Sequence, residues 1–571
     1  MATKKNSDEA YVKGAHFEEN YFDNCFDLPN PGLRAYFAHV ESGNDEEYRT
    51  PFYKGKDLNQ ILEGWEPTLN EIRDEWPSLL EFENDLREKV GPMSIMKPLA
   101  QRLDDIDSYY ESILQDSVPI SPAAVDAVCD WLKPLRGLRL RSEDHTVDIM
   151  KKSTNSGSPF FTKRRNVTDK TIPAKAWLSL VDESGIPDSK YNYKDNRSGI
   201  PVVSQALNGS FKRNWYGCAV LGWRGQEGGP TVDDVKQRVV WMFPYAVNIQ
   251  ELRFYQPFIE ACQRFNLVPA WVSMDAVDRE ITELFDSKSP DDLIVCTDFS
   301  KFDQHFNVDM QLCADEVFSR LLTRTRESDE WLGRVFPIKY EIPLAYNWKK
   351  VRFGRHGMGS GSGGTNADET VVHKALQFEA AISAKATLNP HSMCLGDDGL
   401  LSYPGITVDD VVRTYSSHGQ EMNPDKQYAS KQDCVYLRRW HHKDYRPNGV
   451  CAGVYSTYRA LGRLAEQERF YDSEKWGPRM VALRQLSILE NVKYHPLREK
   501  FVAYCMKGDK YRLGLDLPGF LDNIEREAKE AIEYMPDFLG YTKSLQFESN
   551  SSRVRTGISD WWVVQYLKSM A

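Results

Sequence analysis

The sequence has no apolar run long enough to cross a membrane and no regular spacing of cysteines. None of its 571 residues lies in a window that approaches the roughly 18 apolar residues of a membrane helix, so we expect no transmembrane segment. The first nine residues lack the apolar core of a secretory signal. The ten cysteines are scattered from Cys25 to Cys505 without a C-x-x-C pair. This disfavours a zinc site or a disulfide framework and favours a reducing compartment.

The chain has fewer basic than acidic residues, but many of its basic residues are concentrated in one segment. The net charge of −11 argues against a surface that binds nucleic acid throughout. Between residues 133 and 175, however, eleven Lys and Arg residues face only four acidic ones. A basic segment in an acidic protein fits phosphate binding inside a channel, with a solvated basic surface as the alternative.

Two short apolar runs about a hundred residues apart lead into aspartates. Asp298 follows residues 293–296 and stands five residues before Asp303, whereas Asp397 and Asp398 follow Gly396 between two apolar runs. The second pattern predicts two short strands joined by a tight turn. Carboxylates that converge from strand ends are the hard ligands that Mg²⁺ prefers. Two such ions roughly 3.5–4 Å apart activate a hydroxyl and stabilise a leaving pyrophosphate, which indicates a template-directed nucleotidyl transferase.

A glycine-rich loop lies between these two aspartate patterns. Five of the eight positions from Gly357 to Gly364 are glycine, and Ser360, Gly361 and Thr365 form an S-G-x3-T pattern before an apolar helical segment. Such a loop can bring its backbone close to a phosphate or a nucleotide. A flexible linker is the alternative for this loop, as a helix cap is for Asp298. The order D-x4-D, S-G-x3-T, G-D-D favours the catalytic interpretation.

This ordered set resembles motifs A, B and C of the viral RNA-dependent RNA polymerases. The residues around Asp298 and Ser360 are most similar to those of the picobirnavirus polymerases of double-stranded RNA viruses, with partitivirus and picornavirus enzymes next. The resemblance implies that Asp298, Asp397 and Asp398 hold two Mg²⁺ ions, for which Mn²⁺ can substitute. It also implies that Asp303 reads the ribose of the incoming nucleotide.

Further motifs of the family have counterparts on both sides of this set. Lys236 and Arg238 resemble the K-x-R core of motif F, which implies contact with the incoming triphosphate, and Lys426 resembles the motif D lysine, which implies a general acid. Ser360, Gly361, Thr365, Asn366 and Glu369 are the other candidate nucleotide-binding residues. The candidate RNA-binding residues resemble motifs G and E or belong to the basic segment: Ser156, Gly157, Ser158, Pro159, Lys163, Arg164, Arg165, Leu437 and Arg438.

One position departs from the family pattern. Members of the family often carry Asn nine residues after the motif B serine, where it helps the second aspartate of motif A to read the ribose 2′-hydroxyl. This chain has Glu369 at that position and Asn366 three residues earlier. Both residues are therefore candidates for completing the contact made by Asp303.

Three other functions are compatible with parts of the pattern. A reverse transcriptase shares the palm carboxylates but usually shows the pattern aromatic-x-Asp-Asp and a bulky steric gate after motif A, whereas this chain has Gly396 and Asp303. A non-catalytic internal scaffold protein of a virus particle predicts damaged carboxylates, whereas Asp298, Asp397 and Asp398 are all present. A phosphate-binding module predicts no transfer activity.

The resemblance implies an α+β fold in the shape of a right hand. We expect an N-terminal extension at 1–95 bridging fingers and thumb, fingers at 96–252 and 308–345, a palm with an antiparallel sheet at 253–307 and 346–450, and a thumb at 451–552. The apolar tail at 553–571 either plugs the cleft or caps the thumb. Expected partners are template and product RNA, ribonucleoside triphosphates and viral capsid protein. The expected locations are the virion interior and the host cytoplasm.

Overall fold

The computed structural model describes residues 15–17, 32–152, 154–158, 161–166, 218–348, 350–469, 473–534 and 557–571. Pro159, part of the basic segment (Lys170 and Lys175) and residues 553–556 of the tail lie outside the described residues.

The strands of the described residues form sheets that are almost entirely antiparallel. The strands are β1 (Ala15–Phe17), β2 (Ala219–Gln226), β3 (Lys236–Met242), β4 (Ile294–Thr297), β5 (Leu344–Asn347), β6 (Lys350–Phe353), β7 (Met393–Leu395), β8 (Asp398–Leu401), β9 (Tyr428–Ser430), β10 (Asp433–Tyr436), β11 (Arg439–His442) and β12 (Val454–Tyr455). The strand orders are β1-β6-β5-β2-β3 for the fingers sheet, β7-β8-β4-β9 for the palm sheet and β10-β11-β12 for a small third sheet. Only β2 and β5 pair in parallel among the described strands.

Helices surround the sheets, and many of them begin at a side-chain cap. The helices are α1 (Gly32–Ser42), α2 (Leu58–Leu69), α3 (Pro77–Arg87), α4 (Leu103–Glu111), α5 (Pro122–Trp131), α6 (Glu143–Ile149), α7 (Tyr245–Arg264), α8 (Pro269–Val272), α9 (Met274–Ser287), α10 (Val308–Leu321), α11 (Arg326–Glu330), α12 (Ile338–Glu341), α13 (Thr365–Ser383), α14 (Val408–Ser417), α15 (Thr457–Ala465), α16 (Ser473–Glu490), α17 (Arg498–Lys507), α18 (Ile524–Tyr534) and α19 (Trp562–Ser569). Ser121, Asn307 and Ser456, for example, each accept a hydrogen bond from a backbone N–H in the first turn of α5, α10 and α15. No helix of the described residues is both long and apolar enough to span a bilayer.

The palm sheet is covered on both faces, which explains why β4 is a continuous apolar run. Val295 belongs to a core formed with helices α5, α7, α10 and α13. Its neighbours Ile294 and Cys296 belong to a second core with α9. Because successive strand residues face opposite sides of a sheet, both sides of β4 must be apolar. This packing fixes the end of β4, where Asp298 follows.

The described part of the N-terminal region contacts both the fingers sheet and the thumb helices. Helix α1 packs against the fingers sheet through Leu33 and Phe37. Helices α2 and α3 share a core with α15, α16 and α17 of the thumb, which includes the fully buried Trp65. The N-terminal helices therefore connect the fingers sheet to the thumb helices.

The described part of the tail, 557–571, belongs to the same thumb core. Val563, Val564 and Leu567 are fully buried there. The Glu490 carboxylate accepts hydrogen bonds from the backbone N–H groups of Trp562 and Val563 at 3.1 and 3.0 Å, which caps α19. The apolar side chains of the tail are thus buried in the thumb, which is the arrangement expected of a cap rather than of a cleft plug.

Candidate active site

A cavity of about 2300 Å³ lies between the fingers sheet, the palm sheet and the N-terminal region. Most of the site residues predicted from the sequence line it: Lys163, Arg164, Lys236, Arg238, Asp298, Asp303, Ser360, Gly361, Thr365, Asn366, Glu369, Asp397, Asp398, Lys426 and Arg438. Ser156, Gly157, Ser158, Arg165 and Leu437 are described but do not line it. Residues that span almost 280 positions of the sequence therefore share one internal surface.

Asp298 enters the cavity at the end of β4. Its side chain is exposed to the cavity, and its backbone is fixed by Gln427. The Asp298 N–H donates to Gln427 Oε1 at 2.7 Å, and Gln427 Nε2 donates to the Asp298 carbonyl at 2.9 Å. Gln427, which lies just before β9, thus fixes the backbone at the end of β4. This directs the Asp298 carboxylate into the cavity.

Asp397 and Asp398 lie on the predicted hairpin. Leu395 pairs with Asp398, so that Gly396 and Asp397 form a two-residue turn between β7 and β8. Gly396 has φ of 58°, a conformation that favours glycine. Leu400 and Thr297 lie on strands that pair directly, so the turn is adjacent to Asp298.

Polar side chains of helix α13 hold the backbone of this turn through hydrogen bonds. Thr370 Oγ1 accepts from the Gly396 N–H at 2.9 Å, and His373 Nδ1 donates to the Gly396 carbonyl at 2.8 Å. Burial lowers the pKa of His373 to about 4, so the imidazole is neutral. Further along the helix, Lys374 donates to the Ser392 carbonyl and Gln377 donates to those of Met393 and Leu400. The helix that follows the glycine-rich loop therefore fixes the backbone of the catalytic hairpin.

The electrostatics of the three aspartates fit a divalent cation. Burial and the charges of Asp397 and Asp298 raise the pKa of Asp398 to about 7, against the effect of the Leu437 N–H and Arg438. Burial and the charge of Asp303 raise the pKa of Asp397, and Arg238 and Arg438 oppose this. Clustered carboxylates that repel one another are stabilised by hard cations.

These oxygen ligands are close together but are not arranged as a complete coordination sphere. Among the described residues no group of three or more His, Cys, Asp or Glu side chains has the geometry of a metal site. Asp398 Oδ2 instead accepts a hydrogen bond from the Leu437 N–H at 2.8 Å. The chemistry of the donor set, three carboxylates, fits the expected ion.

Lys236 and Arg238 extend from the same face of β3 toward the carboxylates. Gln237, between them, faces the opposite way and binds the Ile95 carbonyl through Nε2 at 2.9 Å. The pKa of Lys236 is lowered by burial and by the charges of Lys89 and Arg438, whereas Asp298 raises it. Four cationic side chains from three parts of the chain (Lys89, Lys236 with Arg238, and Arg438) thus gather beside the aspartates, which suits a polyphosphate.

Leu437 and Arg438 form the tip of the hairpin between β10 and β11. Both have positive φ, 53° and 59°, although neither is glycine. The tip is the point at which the backbone N–H of Leu437 meets Asp398. Strain of this kind, at roughly 1–3 kcal/mol per residue, persists here because the paired strands on both sides determine the turn.

The glycine-rich loop is clamped between β3 and α7. Ser360 Oγ donates to the Val239 carbonyl at 2.8 Å, and the Trp241 N–H donates to the Ser360 carbonyl at 3.1 Å. A Cβ atom on Gly361 would lie 1.8 Å from the Trp241 carbonyl oxygen, so only glycine fits there. The buried Glu251 accepts from the Ser362 hydroxyl and from the Gly363 N–H.

Glu369 and Asn366 differ in how they meet Asp303. Burial and the charge of Asp303 raise the pKa of Glu369 well above its ordinary value, and the two side chains are hydrogen-bonded to each other. Asn366 Oδ1 instead accepts from Trp271 Nε1 at 2.8 Å. The raised pKa of Glu369 favours its protonated form, which can donate a hydrogen bond to Asp303 as the amide of Asn would.

Comparisons with known proteins give the same assignment as the site. A family model described as viral RNA-dependent RNA polymerase matches residues 222–454. A human picobirnavirus protein described as a potential RNA-dependent RNA polymerase is 61% identical over 551 residues, which are 96% of this chain and 99% of that protein. This chain belongs to the viral RNA-dependent RNA polymerases.

Solved structures agree with the fold of this polymerase. The crystal structure of the RNA-dependent RNA polymerase of a human picobirnavirus is 57% identical and has a TM-score of 0.84, covering 97% of this chain and 99% of that chain. An insertion-loop deletion mutant of such a polymerase gives the same values. The predicted right-hand α+β fold, the enzyme class and the likeness to the picobirnavirus polymerases are confirmed. The family depends on divalent metal ions, and a polymerase binds RNA and nucleotides.

The described part of the segment that we predict to be the template-entry motif, Ser156 to Ser158, does not line the cavity. Ser156 and Ser158 are buried, and the Ser158 carbonyl accepts from the Tyr245 N–H at 3.1 Å at the start of α7. Arg164 reaches the cavity and donates to Asn248 Oδ1 at 2.8 Å. The two serines thus pack inside the protein, whereas Lys163 and Arg164 line the cavity.

Sequence reasoning did not identify several residues of the polymerase site. Lys89, Tyr109, Glu251, Thr370, His373 and Gln427 contact or neighbour predicted site residues. None of them belongs to a spaced motif: Lys89, Tyr109 and Glu251 come from distant parts of the chain, whereas Thr370, His373 and Gln427 lie beside predicted site residues and show no pattern of their own. A polar residue at a helix position that otherwise faces the core, as for Thr370 and His373, is the only signal that the sequence offers.

Proposed function

We propose that this polymerase copies viral RNA from ribonucleoside triphosphates by a two-metal mechanism, for both replication and transcription, and that it initiates without a primer. The observation that carries the proposal is the convergence of Asp298, Asp397 and Asp398 in one cavity, with Lys236 and Arg238 beside them. Similarity to the picobirnavirus polymerases supports the biological role and the mode of initiation.

Asp298 and Asp397 would hold two Mg²⁺ ions with the assistance of Asp398, and Mn²⁺ can replace Mg²⁺. Such ions, when bound, lower the pKa of the primer-end hydroxyl and neutralise the triphosphate. Gln427 and Thr370 contribute by fixing the backbone from which these carboxylates extend. The protein thereby prepares the ligands before the nucleotide arrives.

The cationic side chains bind the triphosphate and the leaving group. Lys236 and Arg238 hold the phosphates, whose charge develops further in the transition state. Lys426, exposed on the cavity surface, donates a proton to the departing pyrophosphate. These roles need no movement of the fingers sheet, since β3 already presents both cations to the cavity.

The sugar is selected by Asp303, which accepts a hydrogen bond from the ribose 2′-hydroxyl. Glu369 completes the contact, because it is the residue that donates to Asp303, while Asn366 is engaged by Trp271. A site built on such a hydrogen bond rejects the deoxynucleotide that lacks the hydroxyl. The presence of Asp303 here favours RNA synthesis over reverse transcription.

Template and product RNA are bound through their backbones. Lys163, Arg164 and Arg438 line the cavity and supply charge. We assign Ser156, Gly157, Ser158, Arg165 and Leu437, which do not line it, to its approaches, and Pro159 lies outside the described residues. Sequence information comes from base pairing, so the protein contacts backbone and shape. We further propose that the enzyme works with viral capsid protein, in the virion interior and the host cytoplasm.

The test is Asp397→Asn, with Asp409→Asn as the control. Asp409 is an exposed aspartate on α14 outside the cavity, so the same chemical change there leaves the site intact. We expect Asp397→Asn to abolish Mg²⁺-dependent incorporation on single-stranded RNA, with and without primer, while its circular dichroism and melting temperature stay close to those of the wild type. Turnover at the wild-type rate by Asp397→Asn would disprove the assignment.

A further inference from the structure

Tyr109 brings a phenol from outside the motifs to the nucleotide side of the cavity. It lies near the end of α4, is 4% exposed, and lines the cavity together with Asp303, Ser360 and Glu369. Its carbonyl accepts from the Gly357 N–H at 2.9 Å, which ties α4 to the start of the glycine-rich loop. The backbone position of Tyr109 is thus coupled to that of the loop.

The ring of Tyr109 is fixed by aromatic packing. It meets Trp241 edge to face with centroids 5.4 Å apart. Trp241 in turn stacks on His356 at 4.2 Å. Because a buried, stacked ring has little freedom at χ1 and χ2, the position of the hydroxyl is determined by the fold.

The hydroxyl lies among the residues that we assign to ribose selection. Burial raises the pKa of Tyr109 well above its ordinary value, the charges of Asp303 and Glu369 add to the rise, and hydrogen bonding with Ser360 and Trp241 opposes it. The Ser360 hydroxyl donates its hydrogen to the Val239 carbonyl at 2.8 Å, and its oxygen keeps a lone pair that can accept a hydrogen bond.

We propose that Tyr109 is a positioning residue for ribose selection, whose hydroxyl holds Ser360 and the adjoining loop in the orientation that lets Asp303 receive the 2′-hydroxyl of a ribonucleotide. This inference rests on the proposed role of Asp303. It adds to the site a residue from α4, roughly two hundred positions before Asp303, that no polymerase motif includes.

The adjacent Tyr110 shows why packing alone does not account for Tyr109. Tyr110 is fully buried on the same helix and meets the same Trp241 and His356 rings, at 6.5 and 5.5 Å. Its hydroxyl, however, has no hydrogen-bond partner among the described residues, and it does not line the cavity. Two neighbouring tyrosines thus share their packing and differ in their access to the nucleotide.

Tyr109→Phe removes one hydroxyl and keeps the ring, and Tyr110→Phe is its matched control. The experiment uses the full-length protein, a single-stranded RNA template and single-nucleotide incorporation of GTP and 2′-deoxy-GTP. For Tyr109→Phe we expect the ratio of kcat/KM for GTP to that for deoxy-GTP to fall about 5- to 30-fold, which corresponds to roughly 1–2 kcal/mol. The GTP KM should rise, while Tyr110→Phe keeps the wild-type ratio.

Asp303→Ala separates the inference from the function on which it rests. If Asp303→Ala loses selectivity and Tyr109→Phe keeps it, Tyr109 is not a positioning residue, and the proposed function stands. An equal fall in kcat for both nucleotides in Tyr109→Phe would likewise overturn the inference, since that is the effect of a purely structural role. Unchanged selectivity in Asp303→Ala would overturn the proposed role of Asp303 and the inference together.

A second variant keeps the inference falsifiable if Tyr109→Phe is insoluble. Ser360→Ala removes the hydroxyl that Tyr109 is proposed to hold, without changing the aromatic cluster. It should reduce the selectivity ratio by a similar factor, and the effects of Tyr109→Phe and Ser360→Ala should not add in the double variant. Wild-type selectivity in Ser360→Ala would refute the inference.

Discussion

Replacing Thr370 with Val tests whether α13 fixes the catalytic turn. The two side chains have nearly the same shape, so the change removes one hydroxyl and adds a methyl group. Thr370 is fully buried, and its Oγ1 accepts from the Gly396 N–H at 2.9 Å. After the change, this N–H lies buried without a partner, which costs about 1–3 kcal/mol.

The lost free energy can lower either the stability of the fold or the rate of catalysis. The first result indicates a structural hydrogen bond, and the second indicates a hydrogen bond that positions the active site. If the turn keeps its place, the loss is one of stability alone. If the turn relaxes, Asp397 moves away from Asp298, and each 1.4 kcal/mol of lost transition-state stabilisation lowers the rate about tenfold. We expect the second outcome for Thr370→Val, with kcat reduced about 10-fold or more and nucleotide KM little changed.

Thr282→Val is the matched control. Thr282 Oγ1 accepts from the Cys451 N–H at 2.8 Å, which is the same kind of hydrogen bond in another part of the palm. Urea unfolding and primer-extension kinetics measure both variants. Both should lose stability, and only Thr370→Val should lose turnover. Wild-type kcat in Thr370→Val, with a stability loss equal to that of the control, would refute the positioning role of α13.

Three further predictions concern the cations, a buried acid and the tail. Lys236→Ala and Arg238→Ala should raise nucleotide KM while RNA affinity, measured at several salt concentrations, changes little. A loss of RNA affinity with an unchanged nucleotide KM would instead assign Lys236 and Arg238 to RNA binding. Burial raises the pKa of Glu466 from its ordinary 4.5 to about 10, with Glu47 adding to the rise and Arg49 opposing it. The folded state then binds a proton that the unfolded state loses above about pH 4.5, so stability falls by up to about 1.4 kcal/mol per pH unit. Glu466→Gln should therefore raise the melting temperature at pH 8 and have no effect near pH 4; an equal effect at both values would contradict the shift. Leu567→Ala in the thumb core should cost about 2–5 kcal/mol in urea unfolding and leave initiation by the folded enzyme unchanged; altered initiation without a loss of stability would instead favour the plug.

The sequence by itself determined the catalytic turn and the order of the motifs. A tight turn between two strands is decided by neighbouring residues, so Gly396 and the apolar runs on both sides of it were sufficient to predict the hairpin. The end of β4 at Thr297 followed in the same way from a buried run that stops at Asp298. Resemblance to a family then supplied the fold, since motifs in a fixed order occur on one architecture.

Only the tertiary structure decided which distant residues complete the site. The sequence does not separate Glu369 from Asn366, whereas in the structure Trp271 donates to Asn366, and burial and the charge of Asp303 raise the pKa of Glu369. The tail has an apolar pattern that fits a plug or a cap, and the acceptors offered by Glu490 place its helix on the thumb. Tyr109 belongs to no motif. Its role depends on packing between segments far apart in the chain, and such long-range contacts leave no periodic trace in the sequence.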